Sequence, residues 1–186
     1  MPTEPEEVSI ADVVRHFLRL ESRTEKYMER REEILAWCNL PDDEMLREAK
    51  RFADERDDTN PTLLYTVGVR GEDRSGDVAF WTREHVNYSE IYTCGISRLM
   101  KDDLDIVKGN IHDFALSAAA KYPEFAKNKS PPEGEGAVII VVEHTKPGRK
   151  GSYGLTDGAH RLVSLCRSQA DGVEAYIGHL KSSAQV

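Results

Sequence analysis

Asp157, Gly158, Ala159, His160 and Arg161 are the residues of this 186-residue chain whose types and spacing could do chemistry. They stand in GLTDGAHRLVSL, residues 154–165. Tyr153 to Thr156 reads as a short strand, Asp-Gly as a tight turn, and the remainder as a helix. Ala159, Leu162, Val163 and Cys166 recur at helical spacing and predict the buried stripe. His160 and Arg161 then fall in the first turn, at the positive end of the helix dipole, where a cation is locally unfavourable. At about 100° per residue, Arg161 is expected to face away from Ala159 and the core.

Asp157 has two compatible readings. It can cap the helix by accepting hydrogen bonds from free backbone N–H groups, and it can act as a functional carboxylate. The capping reading does not explain His160 and Arg161: a capping box would carry Glu or Gln where His160 stands. A bound anion explains both. The first amides of a helix and its dipole form an anion site, and here Gly158, Ala159 and His160 would supply the amides. Arg161 could grip a phosphate with two parallel hydrogen bonds, and Gly158 lets a ligand approach the backbone. The alternative is that Arg161 pairs with a nearby acid. The basic stretch HTKPGRKGS adds Lys146, Arg149 and Lys150, expected at the same end of the sheet.

These residues need a scaffold. Ser9, followed three residues later by Asp12, predicts a helix start, and Ile10, Val13, Val14, Phe17 and Leu18 make one apolar face. In ESRTEKYMERREE the helix either continues as a solvated rod or breaks. Ile34, Leu35 and Cys38 restore an apolar stripe. Pro41-Asp42 starts another helix, with Met45, Leu46, Ala49, Phe52 and Ala53 at helical spacing. Residues 1–58 therefore read as a helical layer, and residues 59–186 as an α+β domain. TLLYTVGV and VAFWT predict a β-hairpin, SEIYTCGIS a third strand, and VEAYIGHL a last strand. A helix is expected within residues 105–126 and a loop at KNKSPPEGEG. AVIIVVE is continuously apolar, as expected of a strand covered on both faces.

The run from VIIVVE through YGLTDGAHRLVSLCRSQADGVEAYIG resembles the end of the ParB/sulfiredoxin-fold superfamily, whose Asp-Gly-x-His-Arg signature matches Asp157 to Arg161. The order IYTCGISRLMKDDLDIVKGNIHDF, then GLTDGAHRLVSL, is similar to the plasmid fertility-inhibition factors of that superfamily. The resemblance covers residues 62–180 and is strongest over 154–178. It implies a mixed sheet with helices, preceded here by the N-terminal helical layer. It also implies a cytoplasmic protein that binds ATP or another nucleoside triphosphate with Mg²⁺, hydrolyses it, and cuts DNA as a nuclease. Such a protein would block conjugative or T-DNA transfer, with single-stranded transfer DNA and conjugation or type IV secretion components as partners.

On that reading Arg161 and His160 stabilise charge developing on phosphoryl oxygens, and Asp157 orients the turn. Lys146, Arg149 and Lys150 guide the polyanion. Glu143 or Asp157 is the candidate Mg²⁺ ligand, with Glu143 and His144 expected to face the same cleft as Asp157. An ordinary strand-end pair is the alternative for Glu143 and His144. Two rival functions use the same turn or none of it. One is a kinase acting on a small molecule such as free serine. The other is a non-catalytic inhibitor that docks on the transfer machinery through its acidic helices.

The remaining candidates read as structural first. Glu84, His85 and Glu90 suit a solvated loop. Asp102, Asp103 and Asp105 could hold Mg²⁺ or start a helix. Trp81 and Tyr92 suit the core but could stack on a base. His112 suits an apolar helix. Cys38, Cys94 and Cys166 form no metal or disulfide pattern. The net charge of −8 is uneven: residues 1–60 hold 17 acids and 10 bases, and residues 61–186 hold 16 and 15. The second part can therefore carry the local positive surface that phosphate contact needs. No apolar run reaches the length of a membrane span, so no membrane insertion is expected.

Overall fold

The computed structural model describes residues 5–56, 60–92, 134–143, 153–166 and 171–181. The protein is α+β: helices accompany a mixed sheet. The chain divides into two compact units. One comprises Glu7–Trp81 with His179–Val186, and the other Met1–Glu6 with Thr82–Gly178.

The first unit is mainly helical. After a short strand β1 (Glu6–Val8), helix α1 (Ile10–Glu21) starts at Ser9, which forms a reciprocal capping box with Asp12. Val13, Val14, Phe17 and Leu18 are fully buried, as their spacing predicts. The helix ends at Ser22, whose hydroxyl donates to the Arg19 carbonyl at 2.8 Å. The ambiguous polar stretch does break: a 3₁₀ segment (Glu25–Arg30) separates α1 from α2 (Arg31–Trp37). Its Tyr27 is fully buried against Phe52, and Arg30 lies 5.3 Å from the Trp37 ring and 5.2 Å from the Phe52 ring. In α3 (Asp42–Arg56), Met45, Ala49, Phe52 and Ala53 are buried as predicted.

The expected strand at TLLYTVGV is instead helix α4 (Pro61–Thr66). Its entry explains why. The Asn60 side chain accepts from the Thr62 amide at 2.8 Å, and Pro61 presets the first helical φ. These start signals outweigh the β-branched content that suggested a strand. The hairpin to VAFWT is absent too. Arg70 and Gly71 both have positive φ and make a tight turn closed by a single Val69–Glu72 bridge.

Strand β2 (Val78–Asn87) runs beyond VAFWT. It takes in Glu84 and His85, which are therefore sheet residues and not loop residues. A 3₁₀ turn (Tyr88–Glu90) precedes β3 (Ile91–Tyr92). After the 3₁₀ turn Gly134–Ala137 come β4 (Ile139–Glu143), β5 (Tyr153–Asp157), helix α5 (Ala159–Cys166) and β6 (Gly172–Leu180). The strand order is β1-β2-β6-β4-β5-β3. β4 is parallel to β6 and antiparallel to β5, and β5 is parallel to β3. The central position of β4 accounts for its continuous apolar sequence: Val138 to Val142 are all buried. Ile139, Val141, Leu155, Leu162, Val173, Ala175 and Ile177 form one core, which fixes β5 and the start of α5. Among the described residues no helix is long and apolar enough to cross a membrane.

Candidate phosphate-binding turn

The end of β5 is built by a register slip. Val141 pairs with Leu155, but Ile140 pairs with Asp157, so Thr156 is an extra residue. Its hydroxyl donates to the Ile140 carbonyl at 3.0 Å. A bulge of this kind bends the strand and re-aims the side chains beyond it. Here the residue beyond is Asp157.

Gly158 follows, with φ of +98°, a left-handed value that costs a glycine little. A Cβ built there would lie 2.9 Å from Ile139 Cγ2 and 3.1 Å from Arg161 Nη2. No other residue fits without displacing a buried side chain. The Gly158 carbonyl accepts from the Leu162 amide at 2.8 Å, so Gly158 is the N-cap of α5. Asp157 is therefore one residue outside the helix and is not its cap, as one reading had it. The left-handed glycine delays the helix by one residue. Ala159, His160 and Arg161 become its first three positions, and the first turn holds no acid.

Arg161 does not face away from the protein. Its side chain is only 19% exposed. The guanidinium Nη2 pairs with the Asp157 carboxylate, and Nη1 donates to the Val138 carbonyl at 3.1 Å. Leu162 is fully buried as predicted, and Ser164 is buried as well, so α5 is covered on more than one stripe. The 100° projection failed because a long side chain can fold back over the turn N-terminal to its own Cα. Asp157 and Arg161 are four residues apart, a spacing at which opposite charges on consecutive turns meet. That signal was present in the sequence. The Val138 carbonyl and the Thr156 bulge have no counterpart in residue type and could not be read there.

The structure does not bring Glu143 to this turn. Glu143 pairs with Tyr153, at the start of β5, whereas Asp157 is at its end. At about 3.3 Å per residue the two positions are on the order of 13 Å apart along the strand. The expected shared cleft is absent because antiparallel strands put the C-terminal end of one beside the N-terminal end of the other. Lys146, Arg149, Lys150 and His144 lie outside the described residues, as do Asp102, Asp103, Asp105 and His112. The residues flanking the basic stretch, Glu143 and Tyr153, sit at the end of β5 away from Asp157.

That opposite end is acidic. Burial pushes the Tyr153 phenol above its ordinary value, and Glu84, Glu90 and Glu143 push it in the same direction. Thr82 holds Glu84 by a 2.8 Å hydrogen bond, and Asn87 holds Glu90 through two 3.2 Å bonds. Among the described residues no group of three or more His, Cys, Asp or Glu could hold a metal ion.

The turn thus combines three features. The leading amides of α5 have no intrahelical acceptor. A glycine keeps the backbone bare. A guanidinium is fixed by two bonds that engage only part of its donor set. This arrangement can hold an oxyanion such as a phosphate oxygen. Compared with known protein families, curated proteins and solved structures, the chain matches none.

Proposed function

We propose that the 157–161 turn grips the phosphates of a nucleoside triphosphate. On this reading the protein is a phosphoester hydrolase of ParB/sulfiredoxin type that cleaves ATP and DNA and inhibits plasmid transfer. The observation that carries the phosphate grip is the preset guanidinium. Arg161 is held by Asp157 and Val138 beside a glycine that has no room for a side chain. A group organised before the ligand arrives stabilises developing negative charge without reorganising. The extension from ATP to DNA and to transfer inhibition rests on the Asp-Gly-x-His-Arg resemblance.

The residues fit a triphosphate better than they fit an independent metal site. Asp157 is the one carboxylate of the turn, and it is engaged by Arg161. Mg²⁺ commonly binds through substrate phosphates, water and one or two carboxylates, so it would enter with the nucleotide. When bound, it neutralises phosphate charge. Arg161 and the α5 amides would hold the phosphate oxygens, and His160 stands beside them at the second helical position. Glu143, at the far end of β5, has no part in this grip.

Titration calorimetry with Mg²⁺-ATP and Mg²⁺-CTP tests the reading directly. Binding is expected with one of them, and Arg161→Ala should weaken it at least tenfold. Release of ADP and nicking of single-stranded DNA should fall in parallel. Phosphoserine formed from serine and ATP, without nicked DNA, would convert the reading to a kinase. A crystal soaked with a non-hydrolysable nucleotide that binds elsewhere would end it.

A further inference from the structure

Phe80 is the large apolar side chain of its strand that is exposed. Its neighbours Val78 and Trp81 are buried, but Phe80 is 47% exposed. Its ring stacks on the His179 imidazole, with centroids 4.4 Å apart and planes 17° from parallel. The stack fixes the ring in one orientation and leaves much of it in water.

The stack continues into a chain of contacts within the same compact unit. Lys181 follows His179 by two residues, and in extended chain that spacing returns to the same face. The Lys181 amide donates to the Asp77 carbonyl at 2.8 Å. The Asp77 carboxylate accepts from Arg74 Nε at 2.7 Å. The Arg74 guanidinium lies 4.8 Å from the centre of the Tyr65 ring. Phe80, His179 and Tyr65 thus supply three rings, and Lys181 and Arg74 two cations, along one connected run of contacts.

We infer that this strip is a stacking site for the bases of single-stranded nucleic acid. Rings that accept any base face, interleaved with cations that follow the phosphates, are the general means of holding a single strand. A duplex keeps its base faces inside its own stack and does not fit an exposed ring. Asp77 and Arg74 pair with each other within the strip, and Lys181 is the cation beyond that pair. The inference draws on the proposed function only in taking nucleic acid as a partner. It requires no hydrolysis and no contact with the 157–161 turn.

Anisotropy of a labelled oligothymidylate, titrated with the full chain at low salt, tests it. Phe80→Ala should weaken binding about tenfold, within the range seen for loss of one base–ring stack. Phe80→Trp keeps a planar ring and should bind like the unmodified chain. Trp37 and Trp81 are buried, so the new indole reports alone at the surface. Its fluorescence should be quenched by the oligonucleotide and not by an abasic oligomer of equal charge. Undiminished binding by Phe80→Ala, equal binding of the abasic oligomer, or no binding by the unmodified chain would overturn the inference. Binding that depends on Phe80 without any nucleotide hydrolysis would sustain it while removing the proposed function. Hydrolysis that depends on Arg161, with oligonucleotide binding that does not depend on Phe80, would do the reverse.

Discussion

Two helix starts in this protein solve the same problem in opposite ways. At α1 the N-cap is Ser9 and the third helical residue is Asp12; each side chain bonds the other's backbone amide. At α5 the N-cap is Gly158, which has no side chain, and the third helical residue is Arg161. The same position therefore carries an acid in one helix and a base in the other. α1 satisfies its own amides and its own dipole. α5 has no side chain at its N-cap and sets its compensating carboxylate, Asp157, outside the helix. The difference teaches that a cation at the start of a helix is tolerated when a negative group lies within reach, whether from the chain or from a ligand.

Gly158 is where the contrast can be broken most severely. Gly158→Ala forces a Cβ against Ile139 and Arg161 and strains a left-handed backbone. Strain of about 1–3 kcal/mol and overpacking of similar size should together lower stability by about 3–4 kcal/mol in urea denaturation. Gly71→Ala is the control. Its φ is +79°, yet a Cβ there meets nothing within 4 Å. It should cost only the conformational part, about 1–2 kcal/mol. Equal losses at the two sites would mean that the 158 turn is not crowded, and its bare backbone would then need no explanation by close approach.

Asp157→Ala sharpens the comparison at the next scale. Both partners of the Asp157–Arg161 pair are mostly enclosed, with side chains 12% and 19% exposed. Stranding Arg161 should cost about 2 kcal/mol, less than for a wholly buried pair because some water reaches it. The phosphate reading makes a further demand. Millimolar phosphate should restore part of the lost stability, because an anion can replace the missing carboxylate between the guanidinium and the α5 amides. The double variant Asp157→Ala, Arg161→Ala should show no such recovery. Phosphate that stabilises all three chains equally would reduce the pair to a structural tie.

Much of this arrangement was legible in the sequence, and the remainder was hidden for identifiable reasons. Periodicity located α1, α3, β4, β5 and β6 because their apolar residues answer to one core each. It failed at Pro61–Thr66, where a two-residue start signal decided the structure and the composition of the following residues did not. It failed for Glu143, because no local pattern says which end of an antiparallel pair a strand-end residue reaches. The Asp157–Arg161 pair was readable from its spacing, yet the helical projection pointed Arg161 the wrong way. Projection treats a side chain as a point on a cylinder, and arginine is longer than one turn of helix.

The mildest perturbation tests the α1 half of the contrast. Ser9→Ala removes the side chain that accepts from the Asp12 amide at 3.1 Å and donates to its carboxylate at 2.7 Å. Loss of such a cap should cost about 1 kcal/mol, measured as a lower urea midpoint at unchanged slope. Asp12 stays in the first turn and keeps its favourable place beside the dipole, so the loss should stop there. The same carboxylate repels anions. Phosphate should therefore leave Ser9→Ala unrescued, although the amide it frees is chemically like those of α5. Rescue of this variant as well as Asp157→Ala would show that any uncapped helix start in the protein recruits phosphate. Arg161 would then lose its special standing, because the selectivity of the turn depends on its having a base where α1 has an acid.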